Sequence, residues 1–162
     1  MHLEGALALA SCPSFGTTSA TLHTLHPSLV ALTCPTPESE VFAGDERVRV
    51  SQCFGGQWTV VDDACAADSK GAIGECPPAT PPANSISNKD FSDSNGVFAS
   101  YYECTEGQVW LSGMPGQVSQ CIAGNWTQVL DVCTEGRRRR GHGWEGPGAL
   151  APIGWPLGSG PQ

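Results

Sequence analysis

Eight cysteines constrain this chain more than any other feature. They are Cys12, Cys34, Cys53, Cys65, Cys76, Cys104, Cys121 and Cys133. An even count, well spaced, among 20 Gly and 13 Pro, reads as a disulfide framework. Free thiols in a cytosolic protein are the alternative, and no other feature asks for them. No C-x-x-C pair is present and the closest cysteines are eleven apart. Structural zinc wants ligand pairs two to four residues apart, so no metal and no cofactor is expected.

The cysteines fall into two sets of four because the chain repeats itself. Val50-Ser51-Gln52-Cys53 through Cys65 lies over Val118-Ser119-Gln120-Cys121 through Cys133 at a spacing of 68, with ten of sixteen positions identical and no gap. A shorter period repeated many times would mean a solenoid; two copies of this size mean two beads. The expected organisation is a poor leader or altered N-terminus at 1–11, a first module at 12–65, a linker at 66–75, a second module at 76–133 and a tail at 134–162. Domains of about 60 residues bury only a modest share of their surface. Each bridge across a few tens of residues is worth about 3–4 kcal/mol, so two per module supply much of the stability.

Strand signals are short and punctuated. Residues 47–51 alternate, 97–102 are aromatic and β-favouring, and Trp58 and Trp126 each open a matching strand after a Gly-bearing turn. Only Leu3 to Ala10 looks helical. The fold class is therefore all-β: two small disulfide-stapled modules in tandem with a disordered C-terminal tail.

The net charge of −8 hides an asymmetry. Up to Gly136 four basic residues face fifteen acids, a net of −11, and the remainder is +3. Phosphate binding needs a basic surface, so nucleic acid is not an expected partner. No apolar run approaches the roughly 18–20 residues of a membrane span. The first ten residues lack a basic n-region and have a very short apolar run, so a secreted location, or the extracellular part of a membrane protein, is inferred from the cysteines, and the true start is expected to be missing or altered.

The second module resembles a sushi module, also called a complement-control-protein module or short consensus repeat. The matching residues are Cys76-Pro77, Gly96-Val97, Tyr102-Glu103-Cys104, Gly107, Gly113, Ser119-Gln120-Cys121, Gly124-Asn125-Trp126 and Cys133. The resemblance implies Cys76–Cys121 and Cys104–Cys133 bridges in a small elongated β-sandwich, with Tyr102 and Trp126 in its core. Modules of this family join end to end into rods that bind proteins. Two elements depart from the pattern: Gln108 replaces the aromatic that usually follows the glycine matched by Gly107, with Trp110 placed to take over its packing, and Leu130-Asp131-Val132 lacks the usual proline. The first module matches from Gly44 to Cys65 and implies Cys12–Cys53 and Cys34–Cys65, with Leu32-Thr33-Cys34 in place of Tyr-x-Cys; residues 1–33 read as mis-assembled or degenerate.

His23 and His26 read as loop histidines. Asp93-Ser94-Asn95-Gly96 lacks an acid two positions earlier and reads as a turn, not a calcium loop. Asp62-Asp63 reads as solvated acids, and no G-x-S-x-G elbow is present. Trp58 and Trp126 read as core. Trp110, in the Gly-rich stretch 107–116, is a candidate exposed contact. Asn125-Trp126-Thr127 is a glycosylation sequon. Arg137, Arg138, Arg139 and Arg140 allow a furin-like processing site, a patch for a polyanionic glycan, or a solvated charge run. The expected function is non-catalytic binding of an extracellular protein, in innate-immune, coagulation-like or adhesion settings. The rival is the regulatory arm of a larger secreted enzyme such as a serine protease.

Overall fold

The computed structural model describes residues 12–16 and 18–136. Residues 1–11 and 137–162, with the leader and the arginine run, lie outside the described residues, whereas Thr134 and Glu135, assigned to the tail from sequence, are held in a strand by pairing with Val109 and Gln108. In the first module, β1 (Thr21–His26), β2 (Leu29–Thr33), β4 (Val48–Phe54) and β5 (Gln57–Trp58) form an antiparallel sheet in the order β1-β2-β4-β5. A second sheet pairs β3 (Glu40–Phe42) with β6 (Cys65–Ala67). The second module repeats the plan. Strands β7 (Ser85–Asp93), β8 (Gly96–Cys104), β10 (Gln117–Ile122) and β11 (Asn125–Trp126) form one sheet, and β9 (Gln108–Trp110) pairs with β12 (Cys133–Glu135). The fold is all-β, and no α-helix occurs among the described residues. The stretch up to residue 33, read as degenerate, thus supplies two regular strands in the same topology as β7 and β8.

Four bridges fasten these sheets: Cys12–Cys53, Cys34–Cys65, Cys76–Cys121 and Cys104–Cys133. In each module the first joins the segment before the large sheet to its third strand. The second ties the large sheet to the small one.

The repeated Ser-Gln-Cys…Trp-Thr residues build one hydrogen-bonded device twice. Ser51 Oγ donates to the Thr59 carbonyl at 2.6 Å, and Ser119 Oγ to the Thr127 carbonyl at 2.6 Å. Thr59 Oγ1 accepts from the Gln52 amide, and Thr127 Oγ1 from the Gln120 amide, each at 3.0 Å. The indole N–H of Trp58 donates to the Pro13 carbonyl at 2.8 Å, and that of Trp126 to the Pro77 carbonyl at 2.7 Å. Each proline directly follows the first cysteine of its module. The tryptophans therefore clamp a segment that has no strand of its own.

The expectation that Trp58 and Trp126 are core is corrected by this arrangement. Both are only half-buried, on two-residue strands, because the indole N–H must reach a peripheral carbonyl. The aromatics buried at matching places of the two modules are instead Phe42 and Trp110, at 1% and 2% exposure, 68 residues apart on β3 and β9. Trp110 thus takes over the packing that Gln108 leaves open, and is not an exposed contact. Tyr102 is buried on β8, and Leu32 holds the matching place two residues before Cys34 on β2.

The two modules are not separate beads. Leu29, Ala31 and Val48 of the first share one apolar cluster with Phe91, Phe98, Ala99 and Tyr101 of the second. All five residues of β2 are buried, because Leu29 and Ala31 meet the other module while Leu32 packs with Phe42 in its own. Gly116 lies under the Tyr101 ring, and a Cβ built there runs into it. Gly116→Ala is expected to cost about 1–3 kcal/mol, the usual range for overpacking a core. An unchanged denaturation midpoint would show that the ring moves aside freely.

The linker is ordered as well. The Asp68 carboxylate accepts from the amides of Lys70, Ala72 and Ile73, and this cage, with the Ile73 amide foremost, holds its carboxyl below the usual range. Ala72 is buried, and its carbonyl accepts from the Ala123 amide of the second module at 2.8 Å.

Candidate functional site

The most elaborate chemistry lies at the seam between modules. Arg47 Nη2 meets Asp93 Oδ2 at 2.8 Å, with both side chains 1% exposed. The same nitrogen donates to the Pro37 carbonyl at 3.1 Å, and the guanidinium carbon stands 4.3 Å from the Phe98 ring centroid. Asp93 Oδ1 accepts from the Asn95 amide, closing the two-residue turn between β7 and β8. The Asp93–Gly96 turn expected from sequence is present, but its first carboxylate is half of a buried ion pair. Gln120 completes the seam. Its side-chain oxygen accepts from the amides of Arg47 at 2.6 Å and Val48 at 3.0 Å. Ser94 adds a peripheral bond by donating its amide to Glu38.

His23 flanks the seam on β1, so the loop reading is corrected for both histidines. Its ring meets Phe91 edge-on at 4.9 Å, and Nε2 pairs with Thr33 Oγ1 at 2.8 Å. His26, three residues along the strand, is exposed and pairs with Ser28. Burial, with the Lys89 ammonium second, lowers the His23 pKa below its ordinary 6.5. The unfolded chain therefore takes the proton first. Stability is fully present above about 6.5 and falls as the solution is acidified toward the folded-state value. Calorimetry at pH 7.5 and 5.5 is expected to show a smaller drop in Tm for His23→Gln than for the parent. Equal drops would remove His23 as the cause.

Several clefts border the sheets among the described residues. One of about 390 Å³ lies over β7 and β8, lined by Pro77, Pro78 and Pro81 with Asp90, Ser100 and Tyr102. Asp90 Oδ1 accepts from both Ser87 Oγ at 2.7 Å and Ser100 Oγ at 2.6 Å. These hydroxyls are directed at a carboxylate rather than an imidazole, so the cluster fastens β7 to β8. Burial pushes the Tyr102 phenol up. A second cleft, of about 510 Å³, runs beside β4 between the modules.

The Asp62-Asp63 carboxylates are separately engaged: Asp62 accepts from the Ala64 amide, and Asp63 from the Thr18 hydroxyl. Asn125 is exposed on β11. Arg137 to Arg140 lie outside the described residues. Among the described residues, no group of three or more His, Cys, Asp or Glu could hold a metal ion, and no helix is long and apolar enough to cross a membrane. Sequence reasoning missed Arg47, Asp93 and Gln120, since each reads as an ordinary surface residue until the modules are brought together.

Comparison with protein-family models and with curated proteins gives no match for the sequence.

Proposed function

We propose that this chain is a non-catalytic, extracellular protein-binding pair of sushi-like modules. Four disulfides in a small β fold suit an oxidising compartment, where small domains rely on such staples. The bridge order, first to third and second to fourth in each module, is that of the family resemblance. The observation that carries the reading is the set of large aliphatic side chains left in solvent on this fastened scaffold: Val60 at 97%, Leu130 at 84% and Leu111 at 71% exposure. Leu111 and Val132 are backbone-paired neighbours on the rim of the small sheet. Large apolar groups exposed on a fastened frame, with Leu111 and Val132 side by side, suit recognition of another protein.

The test is capture from the source's extracellular fluid on the immobilised chain, with bound proteins identified by mass spectrometry. A partner is expected that is retained by the oxidised chain and lost by the reduced one. Hydrolytic or transfer activity in the purified chain, with no retained protein, would sink the reading.

A further inference from the structure

The segment joining β5 to β6 is bare. Thr59 turns in to Gln52, but among the described residues no backbone group of Val60 or Val61 has a hydrogen-bond partner. The second module shows the same feature after Trp126: Thr127 bonds to Gln120, while Gln128, Val129 and Leu130 bond to nothing described. Only the first of these segments borders the cleft between the modules. That cleft has a floor of Val48 and Val50 from β4 and Val118 from β10, and a rim carrying Val60, Glu46 and Asp62.

We propose that this cleft docks an extended basic segment of a partner protein, an inference that rests on the protein-binding reading above. Unpaired peptide groups beside a sheet favour a main-chain partner, which supplies hydrogen bonds while alternate side chains enter the groove. The valine floor takes an aliphatic side chain. The rim takes a lysine or arginine. Arg49, the cation already present, is spent on Glu46 and on the carbonyls of Asp62 and Ala43. Asp62 uses one carboxylate oxygen on the Ala64 amide and leaves the other for a cation. The surrounding body carries four basic residues against fifteen acids up to Gly136, so an acidic segment is repelled. Because Val118 and Gln120 come from the second module, the groove exists only while the seam is closed.

The full chain is titrated with two capped heptapeptides and followed by amide chemical shifts. One alternates valine with lysine; the other has glutamate in place of each lysine. The lysine peptide is expected to shift the Val60 and Val61 amides and to bind about tenfold more tightly than the glutamate peptide, a difference of about 1.4 kcal/mol. Val60→Lys should weaken it about as much, and Asp62→Lys should reverse the order of the two peptides. Both side chains are exposed, so neither change disturbs the core. Shifts confined to other residues, or an affinity order unmoved by Asp62→Lys, would overturn the proposal. An extracellular protein captured equally by the parent and by both variants would leave protein binding standing and reject this groove.

Discussion

Reduction of the four disulfides is expected to unfold the protein, and a chelator is expected to leave its Tm unchanged. The bridges close sequence separations of 41, 31, 45 and 29 residues. In the chain-entropy account each such loop is worth about 3.5–4 kcal/mol, so the set approaches or exceeds the roughly 5–15 kcal/mol of net stability that domains possess. The described residues offer no alternative fastening by metal. Circular dichroism in the presence of dithiothreitol, and separately of EDTA, checks both halves of the expectation. A reduced chain that keeps its strand signal would mean that the shared apolar seam outweighs the bridges. A large shift with EDTA alone would mean that a metal contributes to the folded state.

The second large effect is expected at the seam. Asp93→Ala leaves the Arg47 guanidinium buried with no countercharge, and breaking a buried pair in this way costs about 3–5 kcal/mol. Replacing both residues together, as Arg47→Met with Asp93→Leu, should recover most of that loss, because the desolvation of both charges disappears with them. Chemical denaturation of the two variants measures the difference. If Asp93→Ala costs less than about 1 kcal/mol, the range of an exposed pair, solvent reaches the seam. The parent chain should also melt in one transition, since the apolar cluster and the Gln120 bonds couple the modules. Two resolved transitions would show that the modules unfold independently.

Much of this architecture was legible in the sequence, because the repeat encodes local devices. Ser51, Thr59 and Trp58 make the same bonds as Ser119, Thr127 and Trp126, so identity of residues reported identity of hydrogen bonding. Burial of the aromatics was legible at Tyr102 but wrongly assigned to Trp58 and Trp126. Phe42 and Trp110 stand at the repeat spacing, and that coincidence of two aromatics outside the identical stretch was the available signal. Trp58 and Trp126 attracted the core assignment by their size, although each ring N–H reaches a proline carbonyl at the module's edge and holds the indole there. The seam was not legible. It joins residues up to 73 positions apart whose local sequences carry no mark of partnership. An arginine before a valine strand and an aspartate in a turn are both ordinary at a surface. Only tertiary packing makes them a pair.

The order of synthesis turns that long separation into a hazard. Arg47 and the apolar residues Leu29, Ala31 and Val48 leave the ribosome well before Asp93, Tyr101 and Gln120 do. At about 5–20 residues per second, the interval between Val48 and Gln120 lasts several seconds or more. Both bridges of the first module can close in that time, since their last cysteine is Cys65. The nascent first module is then covalently locked while its seam face is still open, presenting a greasy strip and a lone cation to whatever surrounds it. A chain cut short before β8 would keep that face permanently.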